Sequence, residues 1–331
     1  MRGRLAFGAA WLAALALAPL GLGAFGIDLV TKTMVFAILA LSLALLVGGT
    51  GLVCFGQAAF FGIGAYAAVL LSPAAGAASL PGLLLACVGA AALAALTVGA
   101  LSLRTRGMYF IMVTLAFSQM AYYAVHDTAL GGGTDGIYLA ARPSLGGGLE
   151  LDRPLAMYAF TLAWLALVAA GLAQLQRSRI GRALAGIRVN EQRMRALGYS
   201  TYPYKLVAFV ISGAVAGLAG FLFAVKDGYV NPELMGWQLS GSALIMVILG
   251  GVGHLRGALV GAFALALLQE FFKSEAVFGE FAKHWHLGLG LSIIACVALL
   301  PRGLVDLPRR LRQGSRLGLL RRRRPRGAPR P

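Results

Sequence analysis

Long apolar runs, broken by glycine and by short clusters of arginine, set the pattern of this chain. A helix needs about 20 mainly apolar residues to cross a bilayer. Runs that meet or approach this length lie near 5–25, 29–50, 57–72, 80–102, 107–125, 154–175, 204–225, 234–249, 257–272 and 284–300. The pattern predicts an all-α polytopic membrane protein with about 8–10 transmembrane helices. The runs at 57–72 and 234–249 are short and bordered by glycine: Gly48, Gly49 and Gly51 before the first, Gly250, Gly251 and Gly253 after the second. Either can be a broken or re-entrant segment. Irregular backbone at membrane depth is tolerated only where protein or a water-filled path surrounds it, so these breaks mark where a conduit is expected.

Composition agrees with the pattern. Of the 331 residues, 59% are hydrophobic and 12% are charged, where a soluble domain carries about 25% charge. The net charge of +17 points, on a soluble domain, to nucleic acid. The anionic cytoplasmic face of a membrane is another sink for basic residues, so their positions decide. With the N-terminus inside and ten alternating crossings, 23 of the 29 basic residues fall inside. Ten of the twelve acidic residues fall outside, all but Glu191 and Asp306. This is a positive-inside distribution with both termini cytoplasmic.

The two ends read differently from the rest. Residues 1–28 form a first transmembrane helix that is also signal-like, with Arg2 and Arg4 ahead of the apolar run. That run exceeds the roughly 7–15 residues of a signal h-region, which favours an uncleaved helix. Residues 304–331 carry Arg321 to Arg324 and prolines at 325, 329 and 331. They lack the apolar residues needed to fold and read as a basic, disordered cytoplasmic tail lying on membrane lipid, not as a nucleic-acid arm.

Catalytic chemistry is missing from the pattern. Asp28, Lys32 and Glu270 lie near predicted helix ends, and the spans otherwise carry almost no ionisable groups, whereas enzymes and proton pumps in membranes place such groups at depth. There is no GxSxG elbow. None of the five lysines completes a GxxxxGK[ST] phosphate loop, so the driving energy comes from a gradient or from another subunit. Cys54, Cys87 and Cys296 lie in apolar runs without ligand spacing, and His126, His254, His284 and His286 accompany no HExxH. The chain is read as a non-enzyme with no cofactor and no metal site of its own.

The longest inner loop, 176–203, is patterned. Ala183, Ile187, Met194 and Leu197 recur at helical spacing with arginines on the other faces. Asn190 caps a short helix over 191–197, Gly198 stops it, and Pro203 limits continuation before the next span. A short amphipathic helix on this face either lies on lipid or docks into a partner's groove.

The run from Arg179 to Gly198, followed by Tyr204, Lys205, Leu206, Ala208 and Phe209, resembles the coupling loop of ABC-transporter permeases of the branched-chain amino acid (LivM-type) family. Gly51 to Tyr66, Leu103 to Thr114, the stretch 131–137 and Leu249 to Gly261 resemble further segments of the same family, in order. The resemblance implies an ABC permease transmembrane domain over 29–303 in a bacterial inner membrane. It implies a paralogous permease subunit, two ABC ATPase subunits that bind the ATP, and a periplasmic solute-binding protein delivering leucine, isoleucine, valine or a related small solute. Arg182, Arg188, Glu191, Arg193, Ala196, Leu197 and Gly198 are then the ATPase-coupling residues. The sequence departs from the family at Cys54, where relatives commonly carry Ser, at Asp135, often Asn, and at Arg195, usually a small residue.

Gly56, Gln57, Ser118 and Gln119 are the candidates for the translocation path. Each has a plainer reading: glycines permit close helix approach, and an amide or hydroxyl at depth must find a hydrogen-bond partner on a neighbouring helix. Gly62, Gly64 and the GxxxG pairs Gly213–Gly217 and Gly257–Gly261 share the packing reading. Tyr122, Tyr123 and Tyr229 read as interfacial belt residues. Asp127, Asp135, Asp227 and Glu233 read as outer-loop charges, solvated or paired with a binding protein. The alternative for the whole chain is an ion-gradient secondary transporter of small amphipathic solutes.

Overall fold

The computed structural model describes residues 11, 13–72, 79–128, 131–140, 153–274, 278–300 and 303–306. Most of the basic tail therefore lies outside the described residues. The chain is almost wholly helical: α1 Ala24–Leu45, α2 Gln57–Leu70, α3 Leu80–Ser102, α4 Met108–His126, α5 Pro154–Arg177, α6 Arg179–Val189, α7 Glu191–Ala196, α8 Thr201–Asp227, α9 Trp237–Gly250, α10 Leu255–Lys273 and α11 Trp285–Leu299. A π-helical turn, Leu46–Thr50, continues α1. Among the described residues six helices are long and apolar enough to cross a membrane, namely α1 with its π turn, α3, α4, α5, α8 and α10.

Helices α2, α9 and α11 fall short of that length. At 1.5 Å per residue, a 14-residue helix such as α2 or α9 covers about 21 Å, against a hydrocarbon core of about 30 Å. The two short, glycine-bordered runs are thus half-helices, each entered through irregular backbone: 51–56 before α2, and the turn Pro232–Met235 before α9. The run expected at 5–25 is not one continuous helix in its described part. Helical residues 13–17 end in the tight turn Ala18–Leu20, and α1 begins at Ala24 after Gly23. This first segment packs inward: Tyr158 donates to the Leu15 carbonyl at 2.5 Å, and the rings of Trp11 and Phe263 meet edge-on.

Helix α1 is the hub, packed against α5, α8, α9 and α10. Of its most apolar 18-residue stretch 83% is buried, against 17% for α4. Lipid tails supply no hydrophobic drive for helix association, so close packing has to supply it. Helix α8 does this through small residues. A Cβ on Gly213 or Gly217 would strike the Cβ of Ala95 or Ala91 on α3, and a Cβ on Gly220 would strike the Phe61 carbonyl on α2. From the α2 side, a Cβ on Gly64 would strike the Gly217 carbonyl. The packing reading of Gly64, Gly213 and Gly217 therefore describes what these residues do, and Gly261 sits equally tightly against the Met246 carbonyl.

The two faces of the bundle are fastened differently. At one, the strands Ile137–Tyr138 (β1) and Tyr229–Val230 (β2) pair antiparallel, and Tyr229 donates its hydroxyl to the Asp135 carbonyl at 2.7 Å. Tyr229 is thus a loop fastener as well as an aromatic at the rim. Lys226 there bridges Asp28 and Asp227, both at 2.8 Å, so Asp227 is engaged within the chain. The opposite face carries α6 and α7.

Candidate functional site: the glycine breaks and the coupling segment

The half-helices α2 and α9 meet start to start. The Ala58 N–H donates to Ser240 Oγ at 3.0 Å, joining the first turns of the two helices. Both breaks also lean on α4. Thr114 Oγ1 accepts from the Phe55 N–H at 3.3 Å, and Ser118 Oγ donates to the Met235 carbonyl at 3.0 Å. Thr114 and Ser118 lie four apart on one face of α4, so a single helix satisfies freed backbone groups on both sides of the seam. Gln57 donates through Nε2 to Ser212 Oγ at 2.5 Å, and Ser212 donates to the Ser42 carbonyl at 2.7 Å. This relay ties α2 to α8 and α8 to α1. The amide oxygen, Gln57 Oε1, is buried without a hydrogen-bond partner among the described residues.

Of the four path candidates, Gly56, Gln57 and Ser118 are buried inside the chain, and Gln119, one residue round the helix from Ser118, is half-buried. Ser42, Thr114, Ser212 and Ser240 complete the seam and were not singled out in the sequence reading. The i, i+4 spacing of Thr114 and Ser118 within an apolar span was the available signal. Cys54 lies beside the seam, its Sγ accepting from the Gly56 N–H at 3.3 Å. Among the described residues no three His, Cys, Asp or Glu side chains come together to hold a metal.

The loop 176–203 is two helices, not one. Ser178 caps α6 by accepting from the Gly181 N–H at 3.3 Å, and Ala183, Leu184 and Ile187 bury its apolar face. Asn190 caps α7 by accepting from the Arg193 N–H at 2.9 Å, as its position predicts. The helix expected over 191–197 ends at Ala196. Gly198, at φ +85°, turns the chain, and the Gly198 and Tyr199 N–H groups close on the Arg195 and Met194 carbonyls. That turn sends Leu197 outward, 67% exposed, where the periodicity predicts an inward residue.

The coupling candidates separate into two groups. Arg182, Arg193, Ala196, Leu197 and Gly198 face outward. Glu191 instead works inside the chain: Oε2 meets Lys205 Nζ at 2.6 Å, and Oε1 accepts from Arg195 Nη2 at 2.6 Å and Thr201 Oγ1 at 2.9 Å. Burial works to raise the Glu191 pKa, but the bonds from Lys205, Thr201 and Arg195 outweigh it and bring it down from 4.5 to about 2. Arg195, the departure from the family pattern, also donates to Thr201 at 3.1 Å and so belongs to this clamp. Arg188 reaches across to the α1 end, donating to the Gly48 carbonyl at 2.7 Å.

Broken half-helices fastened at depth, with a stiff helical pair on one face, suit a permease. Comparison with known proteins decides the matter, because a family model described as "Branched-chain amino acid transport system / permease component" matches residues 26–296. The chain belongs to this family. The "High-affinity branched-chain amino acid transport system permease protein LivM" of Escherichia coli (strain K12) is 32% identical over 318 residues, covering 88% of this chain and 73% of LivM. The LivM protein of Salmonella typhimurium is 32% identical over 307 residues, covering 86% of this chain and 70% of that protein. The "Autoinducer 2 import system permease protein LsrC" of Klebsiella pneumoniae is 32% identical over 168 residues, covering 50% of this chain and 46% of LsrC. No solved structure gives a match. In this branched-chain permease family member, six long apolar helices and the family membership together establish a multi-pass membrane transport subunit.

Proposed function

We propose that the chain is one permease subunit of an ATP-driven importer for leucine, isoleucine, valine or a related small solute. It pairs with a paralogous permease, two ATPase subunits dock on the coupling loops of the pair, this chain's being α6–α7, and a periplasmic binding protein delivers the solute at the β1–β2 face. Both termini then lie in the cytoplasm. The chain itself performs no covalent chemistry and holds no nucleotide, since the ATPases supply that site.

The observation that carries this reading is the helical pair α6–α7, which is bonded to the spans through Arg188 and Glu191 yet shows an outward surface to a partner. Val189, the last residue of α6, is 83% exposed and Leu197, just past α7, 67%, an apolar pair flanking α7 together with the outward Arg182 and Arg193. Apolar anchors rimmed by charge are what a docked helix offers a groove. ATP binding draws the ATPases together, α7 travels with them, and the Glu191 clamp passes that motion to α8 while α5 follows through α6. The seam between α2 and α9 is entered on both sides through irregular backbone, and a tilt opens it there.

Reconstitution tests this. Proteoliposomes holding the paired permease, both ATPases and this chain are expected to take up radiolabelled leucine only with ATP and the binding protein. Uptake by this chain without any ATPase would favour the ion-gradient alternative and sink the importer. The ligand that copurifies with the binding protein identifies the solute.

A further inference from the structure

Arg188 stands in the last turn of α6, on the face where ATPases are proposed to dock, but its head group is turned toward its own chain. Nη1 donates to the Gly48 carbonyl at 2.7 Å. Gly48 lies in the π turn that ends α1, and the final carbonyls of a helix have no partner within it and carry its partial negative charge. A cation from another element is suited to that end. The same guanidinium lies over the second glycine break: a Cβ on Gly253 would stand 3.2 Å from Nη1 and 3.7 Å from Nη2. The side-chain stem covers the first break too, since a Cβ on Gly51 would stand 3.3 Å from Arg188 Cγ. The two breaks touch each other beneath it, for a Cβ on Gly48 would stand 3.2 Å from the Gly253 Cα.

We propose that Arg188 is a positioning residue that joins the coupling segment to both glycine breaks at once. Displacement of α6 then moves the end of α1 and the α9–α10 turn directly, without passing through α8. The inference rests on the importer reading above and deepens it. Glu191 carries motion into α8, whereas Arg188 carries it to the inner ends of the half-helix system. Arg188, though exposed, thus serves its own chain in this proposal and not an ATPase groove. Gly253, at φ +97°, serves the clasp as well as the turn, because any side chain there would be strained and its Cβ would crowd the guanidinium.

The test uses the whole complex with its ATPases. Spin labels go on Val252→Cys, beside the clasp, and Tyr138→Cys on the opposite face, in a Cys296→Ser background; both labelled sites are exposed. ATP is expected to shift the distance between the labels. Arg188→Ala is expected to abolish the shift while copurifying the same amount of ATPase, and Arg188→Lys to keep most of it, because a lysine still reaches one carbonyl. Gly253→Ala, with Arg188 intact, is expected to reproduce the loss and covers the case where Arg188→Ala does not fold. An unchanged ATP-driven shift in Arg188→Ala overturns the clasp, and so does a loss of ATPase copurification in that variant, which would make Arg188 a docking contact. If the wild-type chain copurifies no ATPase, the importer reading itself falls and the inference falls with it.

Discussion

Glu191 shows how much rests on one carboxylate. Its oxygens take bonds from Lys205, Arg195 and Thr201, so it fixes a six-residue helix, too short to persist alone, to the first turn of α8. Glu191→Gln is expected to cost about 2 kcal/mol of local stability, in the range for hydrogen bonds to charged groups. Faster hydrogen exchange confined to α7 and the start of α8 checks it, and unchanged exchange there would refute the clamp. The pH dependence has a definite sign. The folded pKa lies below the ordinary 4.5, near 2, so the clamp contributes fully above pH 4.5 and is lost only as pH falls toward 2. Transport measured from neutrality down to pH 5 should carry no inflection from this group. The Asn190 cap and the Gly198 stop were legible in the sequence because caps are local. The partners of Glu191 were not, since Lys205 lies 14 residues on and only the turn after α7 brings it back.

At the level of elements, the seam between α2 and α9 depends on side chains standing in for missing backbone partners. Ser240→Ala strands the Ala58 N–H at depth, at an expected cost of about 1 kcal/mol, and Ser240→Thr is expected to restore the bond. Thermal unfolding in detergent separates the two, and equal melting of both variants would deny Ser240 its role. Gly217→Leu is expected to be far worse, because the Cβ alone collides with Ala91 on α3 and α8 is already pressed against α2 at Gly64 and Gly220. Overpacking of this kind costs about 1–3 kcal/mol or more, read as lost detergent-stable protein. Hydropathy alone located nearly every helix, including both broken ones, since apolar length and bordering glycine are properties of the run itself. It gave no sign that α2 and α9 start against one another, or that Thr114 and Ser118 serve both breaks. Those facts depend on which faces of distant helices meet, and helices that are apolar all round carry no such mark.

For the molecule as a whole, the fold places its loop charges on two faces. The Arg188–Gly48 contact and the Lys226–Asp28 bridge lie at opposite ends of α1, which sets α6 and α7 on one face and the β1–β2 pair on the other. The basic residues between 177 and 205 share the first face, while Asp28, Asp135 and Asp227 share the second. With the α6–α7 face proposed as cytoplasmic, arginines on several loops crowd that face, and orientation should not need the tail. Deleting 309–331 removes Arg321 to Arg324 but leaves Arg104, Arg106 and the arginines of α6 and α7 to hold the topology. Near-normal insertion and uptake are expected after that deletion. Impermeant maleimide gives the decisive reading on single-cysteine variants in intact cells with a permeabilised outer membrane. Tyr138→Cys, at a position 74% exposed, is expected to label, and Val189→Cys, 83% exposed, to stay protected until the inner membrane is opened. The reverse pattern would invert the protein and move the ATPase face to the wrong side of the membrane.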